Sequence, residues 1–264
     1  MSPMSLATEN TMPDEAAGRW VPLAPGAAPD ALCLFCLPHA GGGASAFRSW
    51  VGAVPGVAVL PVQPPGRETR LREPAHQRMD SLAAELAAVL PAVAGNRRYA
   101  VYGHSLGALV AFETAREIRR RSAPPPAHLL VSGCVPPQLQ SCDSESIATA
   151  PLPTLVDKLR QLGGTPEWLL SDPSVLDMIV PAVRADFSIK ETYCYQPEPP
   201  LDMPITVLAS TADPRAPHRL QAGWRDHTTA AFAQHLLSGG HFAVLEQSAT
   251  THRYLADALA AWPP

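Results

Sequence analysis

Gly103-His104-Ser105-Leu106-Gly107 sets a serine between two glycines, each two residues away. An apolar run, Tyr99-Ala100-Val101-Tyr102, precedes it directly, and another, Ala108-Leu109-Val110-Ala111-Phe112, follows it. A hydroxyl is a poor nucleophile near neutral pH until an oriented base takes its proton, and a sharp strand-to-helix turn is one way to hold it clear of a sheet. The pattern points to acyl transfer through Ser105. The glycines have a steric reason, because strand and helix approach closely at such a turn.

That chemistry needs a base, a carboxylate to orient it and two donors for an oxyanion. In hydrolases built on this turn the order along the chain is serine, carboxylate, histidine, each just past the carboxyl end of a strand. Asp213 follows the apolar run Ile205 to Ala209, and His241 follows the run ending near Leu237 across Gly239-Gly240. Asp202 and Asp226 fall outside such a position, and His218, His227 and His235 fall within helix or strand bodies. His104 is set aside because an immediate neighbour of the nucleophile projects away from it. One oxyanion donor is expected from the N–H of Leu106. The other is expected from Ala40, in Leu37-Pro38-His39-Ala40-Gly41-Gly42-Gly43, where three glycines let the backbone turn an amide inward. A phosphate-cradling loop is the competing reading of these glycines, but no G-K-[ST] follows and the spacing G-x-G-x-x-G is not met.

Cys33 and Cys36 form a C-x-x-C inside Ala31-Leu32-Cys33-Leu34-Phe35-Cys36-Leu37, which reads as a buried strand. No second cysteine pair or spaced histidine pair completes a zinc site, so core packing is expected, with no metal and no cofactor.

The elements that would position these residues follow from alternation. Short apolar runs rich in β-branched residues, at residues 31–37, 57–62, 98–102, 127–132, 205–209 and 231–237, alternate with segments of helical period, which predicts parallel βαβ units. Asp80 is expected to cap a helix carrying Leu82, Leu86, Val89 and Val93, kinked or ended at Pro91. Leu255, Ala258, Leu259 and Trp262 form the stripe of a last amphipathic helix. Residues 136 to about 200 are too long for an ordinary loop and are punctuated by prolines. They still hold helical faces, at Leu152, Leu155, Val156, Leu159 and Leu162 and at Val175, Leu176, Ile179 and Val183, so they predict a helical lid insertion over the site. The expected fold class is α/β, a mostly parallel sheet with helices on both faces. Its domain covers residues 31–264, after a flexible N-terminal arm at residues 1–30.

Composition narrows the class further. The chain has 264 residues, 46% apolar and 17% charged, with a net charge of −4. At this size folding buries about 75% of the unfolded surface, so a core needs no staples. The charge gives no reason to expect a nucleic-acid partner. Five cysteines, an odd number in so long a chain, fit a reducing cytoplasm better than a disulfide scaffold. No stretch reaches the roughly 18 uninterrupted apolar residues of a spanning helix, and the amino terminus lacks the basic start and apolar run of a signal peptide, so no membrane partner is expected.

Several further motifs stand in order along the chain: Pro38-His39-Ala40-Gly41-Gly42, Gln63-Pro64-Pro65-Gly66-Arg67, the Ser105 pentapeptide, Leu162-Gly163-Gly164-Thr165-Pro166, Arg184-Ala185-Asp186-Phe187, Glu191-Thr192-Tyr193 and Gly239-Gly240-His241-Phe242. With them the chain, from about residue 31 to 262, resembles the type II thioesterases that serve polyketide synthases and nonribosomal peptide synthetases. Two departures stand out. Ser210-Thr211-Ala212-Asp213-Pro214 lacks the glycines usual before the family's aspartate, and Ala243 replaces a second bulky residue after Phe242, a change expected to reshape a pocket wall.

The resemblance implies the α/β-hydrolase fold and a stand-alone editing enzyme. Its substrate would be an acyl thioester on the phosphopantetheine arm of an acyl or peptidyl carrier protein. A general serine carboxylesterase acting on oxygen esters is the alternative on the same fold, and a catalytically silent binding module is the reading from another class. Carrier proteins in families of this kind are generally acidic, so docking would use a local positive face. Arg67, Arg70 and Arg72 are expected there, in preference to Arg116, Arg119, Arg120 and Arg121, whose charges suit a helix carboxyl end.

Overall fold

The structure, a computed structural model, describes residues 14–24, 30–140 and 146–260. Six strands, β1 (Leu32–Leu37), β2 (Val57–Pro61), β3 (Tyr99–His104), β4 (Leu129–Ser132), β5 (Ile205–Ser210) and β6 (Phe232–Leu237), form one sheet in the order β2-β1-β3-β4-β5-β6. Every pairing in it is parallel. Each strand starts or ends within two residues of a run read from the sequence. The inner strands β3, β4 and β5 are buried along their whole length, as a parallel sheet covered on both faces requires, whereas the edge strand β6 is largely half-exposed.

Nine α-helical segments accompany the sheet among the described residues: α1 (Asp14–Trp20), α2 (Met79–Ala94), α3 (Leu106–Arg120), α4 (Leu152–Leu162), α5 (Glu167–Leu170), α6 (Pro173–Glu191), α7 (His218–Gln221), α8 (Ala243–Glu246) and α9 (Ser248–Ala260). Alternate strand residues feed two cores. Phe35, Val101, Val131 and Val207 meet Leu82, Leu86, Leu109 and Phe112 of α2 and α3 on one face. Leu34, Tyr102, Leu130 and Leu208 meet Phe47, Trp50, Leu255 and Leu259 on the other. Cys33 and Cys36, three positions apart on β1 and so on opposite faces, divide between these two cores. Both are packing residues, and no group of three metal-ligating side chains occurs among the described residues. No described helix is long and apolar enough to cross a membrane.

Three local expectations change. Pro91 lies inside α2, which runs on to Ala94; the buried side chains of Leu90 and Ala94 hold the last turn on the core despite the missing N–H. Arg78 takes the N-cap position of α2 and Asp80 sits in its first turn, paired with Arg78. The stretch expected as a loose arm is docked over its described end: Trp20 and Val21 are buried, the Trp20 carbonyl accepts the Gln63 N–H at 2.8 Å, and the Arg70 guanidinium lies 4.2 Å over the Trp20 ring. Trp262 lies outside the described residues.

The insertion between β4 and β5 has a small core of its own, made of Leu155, Val156, Leu159, Leu170, Leu176, Val183 and Phe187. Arg184 donates to the carbonyls of Ala148 and Ala150, and Glu191 accepts the N–H groups of Ile147 and Ala148. These bonds staple the approach to α4 onto α6. Farther along, Ile189 belongs to the main core, so α6 is rooted in both.

Candidate active site

β1 sits between β2 and β3, so the chain leaves β1 towards β2 and leaves β3 towards β4, in opposite directions, and the loops after β1 and β3 meet at the switch point, where α/β sheets bind ligands. Leu37 pairs with Gly103, which places the glycine loop beside the Ser105 turn. Ser105 has φ +56° and ψ −119°, a conformation that costs a non-glycine residue about 1–3 kcal/mol. The flanking glycines make it possible. A Cβ on Gly103 would lie 2.1 Å from the Gly107 carbonyl oxygen, and one on Gly107 would lie 2.3 Å from that of Leu37.

The loop after β1 is held by side chains to which the sequence reading gave no part in the site. Ala44 N–H donates to Gln63 Oε1 at 3.0 Å, and the N–H and hydroxyl of Ser45 donate to Glu68. Gly41 N–H donates to Asp186 Oδ2 at 2.7 Å, while Arg67 donates to the Gly42 carbonyl at 3.2 Å and to both carboxylate oxygens of Asp186. The available signal was polar residues placed among prolines and on an apolar helix. Among the described residues, neither the Ala40 N–H nor the Leu106 N–H has a protein acceptor.

These contacts overturn the expected docking face. Arg67 is buried against Asp186, and Arg70 is buried against Glu73, the Gln63 carbonyl and Trp20, so of the three only Arg72 is exposed. The physical reason is that both guanidiniums find carboxylates and carbonyls beneath the loop they belong to. Arg116, Arg119, Arg120 and Arg121 are likewise paired, with Glu113, Glu117 and Glu198.

Asp213 follows β5 and His241 follows β6. The Nδ1 of His241 lies 2.7 Å from Asp213 Oδ2, and Asp213 Oδ1 accepts the N–H groups of Arg215 at 2.9 Å and Ala216 at 3.3 Å. The turn before Asp213 needs no glycine, since its N–H groups are tied to the next loop: Thr211 to the Leu237 carbonyl and Ala212 to that of Gly239. Ala243 lies fully buried in the core beneath α9, so that departure alters packing behind the site and not the pocket wall.

A carboxylate acceptor at Nδ1 keeps the proton there and leaves the lone pair on Nε2, which is buried and has no protein partner. Ser105 and His241 line one cavity together with Ala40 and Leu106, although no hydrogen bond joins the serine to the histidine here. Such bonds are often long in unliganded enzymes and tighten with substrate. Burial, above all, holds the His241 imidazole below its ordinary value. The charges of Arg215 and Lys190 add to this against the raising effect of Asp213. For Asp213 burial pushes upward, yet the bonds from His241, Arg215 and Ala216 outweigh it and keep the carboxyl below the usual carboxylate range.

The surroundings remove other candidates. Cys134 lines the cavity, but burial pushes its thiol up to about 12, so it stays protonated. His104, expected to point away from the site, packs its ring 4.9 Å from that of His241 and sets Nδ1 2.9 Å from the Ser132 hydroxyl. Burial holds it neutral. His39 is held down to about 4, first by burial and then by the His241 charge. From the insertion, Gly164 reaches the site: with φ +83°, its Cβ would stand 2.3 Å from the Phe242 ring.

Comparison with known proteins agrees with this geometry. The family model described as "Thioesterase domain" matches residues 33–258. Over 232 residues the chain is 38% identical to thioesterase PikA5 of Streptomyces venezuelae, covering 88% of this chain and 82% of that one. It is 37% identical to the gramicidin S biosynthesis protein GrsT of Aneurinibacillus migulanus, over 81% of this chain and 84% of that one. Among solved structures, the type II thioesterase BorB from the borrelidin biosynthetic cluster superposes with a TM-score of 0.79 at 36% identity, covering 88% of this chain and 94% of that one.

Proposed function

The chain belongs to the thioesterase domain family, and from that premise we propose that it is a type II, editing thioesterase of polyketide or nonribosomal peptide biosynthesis. It hydrolyses acyl groups held as thioesters on the phosphopantetheine arms of acyl or peptidyl carrier proteins in the cytoplasm. The observation that supports this most directly is the Asp213–His241 bond, made in the cavity that Ser105 also lines.

In this reading Ser105 Oγ attacks the thioester carbonyl as His241 Nε2 takes its proton, and the N–H groups of Leu106 and Ala40 receive the developing oxyanion. The carbon–sulfur bond breaks, His241 returns to neutral by giving its proton to the departing sulfur, and the pantetheine leaves as a thiol. Its pKa near 8.5 means that little acid assistance is needed. Water, deprotonated by His241, then attacks the acyl-serine and releases the carboxylic acid and free Ser105. Asp213 holds the Nδ1–H tautomer throughout.

Kinetics on matched acyl-carrier thioesters and oxygen esters test the reading. The thioester is expected to show a kcat/KM at least about tenfold higher; the reverse order would assign the site to a general carboxylesterase.

The pH profile offers a second check. Catalysis needs neutral His241, so kcat/KM rises with pH to a plateau, and its acid limb falls below the ordinary histidine value of about 6.5. Arg215→Gln removes a cation that disfavours the imidazolium. The limb therefore moves to higher pH. An unmoved limb would mean that the charge of Arg215 does not act on the base.

A further inference from the structure

The turn that carries Ala40 is built in an unusual way. Gly42 N–H donates to the His39 carbonyl at 2.9 Å, and Gly41 has φ +79°, the pattern of a type II turn with Ala40 and Gly41 at its centre. A trans peptide sets its N–H opposite its carbonyl. With the His39 carbonyl turned inward to Gly42, the Ala40 N–H is directed out of the turn.

The central peptide, Ala40–Gly41, could in principle be flipped, giving a type I turn. It is held as it stands from outside: the Gly41 N–H meets Asp186, and Arg67 joins the same carboxylate to the Gly42 carbonyl. A flipped peptide would aim the Ala40 carbonyl oxygen at the carboxylate. One turn before Asp186 on α6, Val183 closes the other side, its Cγ2 3.2 Å from where a Gly41 Cβ would stand.

Asp186 and Arg67 are both buried, with side-chain exposures of 7% and 9%. A buried ion pair is not in itself a stabilising device, since apolar residues of similar volume often do as well. We propose that Asp186 is a positioning residue for the oxyanion hole: from the lid helix α6 it holds the Gly41 amide and, through Arg67, the Gly42 carbonyl, and so keeps in place the turn whose first peptide, His39–Ala40, offers the Ala40 N–H. The inference rests on the reading of Ala40 as an oxyanion donor in a thioesterase. It makes part of the insertion a member of the catalytic frame.

Two double variants share the loss of the Arg67 charge and differ in the acceptor. Arg67→Met with Asp186→Asn keeps an oxygen for the Gly41 N–H; Arg67→Met with Asp186→Leu does not. On one acyl-carrier substrate, the second is expected to show a kcat about 10²-fold below the first, the scale of a lost oxyanion donor, with KM values within about threefold. Thermal midpoints are read alongside. If Asp186→Leu prevents folding, Arg67→Met with Asp186→Ala takes its place and is expected to give the same low kcat. Equal kcat in two folded doubles overturns the inference. Wild-type enzyme that fails to hydrolyse the thioester, with Ser105→Ala as the blank, strikes the functional reading instead, so the two failures are distinguishable.

Discussion

Ser105→Ala and His241→Ala are each expected to lower kcat on an acyl-carrier thioester by a factor of about 10⁴ to 10⁶, and the double variant to lose little more. The near-equality follows from the geometry. Without the Nε2 lone pair, the Ser105 hydroxyl has no acceptor strong enough to make it a nucleophile; without the hydroxyl, the base has nothing to deprotonate in the first step. What survives is the contribution of the Ala40 and Leu106 donors and of binding, which neither substitution touches. Single-turnover assays of acid release measure each loss, and fluorophosphonate labelling should stop in both single variants. If the two losses multiplied in the double variant, the residues would act independently and the shared proton transfer would be wrong.

Asp213→Asn should leave the fold intact and lower kcat by about 10⁴ through the tautomer of one ring. Asp213 Oδ1 is already committed to the N–H groups of Arg215 and Ala216, so an asparagine keeps its oxygen there and turns its NH₂ toward His241. The ring must then accept at Nδ1 and carry its proton on Nε2, where it cannot serve as a base. Activity in this variant should recover partly at alkaline pH, where hydroxide supplies the missing base. Retention of more than half the wild-type rate near neutral pH would remove Asp213 from the mechanism.

Much of this arrangement was legible in the sequence, for reasons that can be named residue by residue. The strands stood out because fully buried parallel strands must be continuous apolar runs. Ser105, Asp213 and His241 stood out because chemistry at the carboxyl edge of such a sheet places each just after a run. The supports were not legible. An arginine in a proline-rich loop reads as solvated, and nothing local to Arg67 reveals a carboxylate 119 positions away. His104 was judged from the direction of one side chain at the turn, whereas its ring is drawn beside His241 by the Ser132 hydroxyl and the aromatic faces around it. Trp20 stands just before Pro22 and Pro25, and it is buried in the main core with the Arg70 guanidinium over its ring. In each case the deciding partner is remote in sequence and local in space.

Trp20 bears on how this domain could be cut and joined. The family match begins at residue 33, so a fragment or chimera designed by alignment would start near β1. Such a fragment would leave the Gln63 N–H without the Trp20 carbonyl and would bare the face of Arg70. Gln63 is the same residue whose side chain holds the Ala44 N–H in the loop after β1. The mechanical unit thus begins well before the recognisable one, and a boundary placed by similarity alone would remove a brace from beneath the loop that faces the nucleophile.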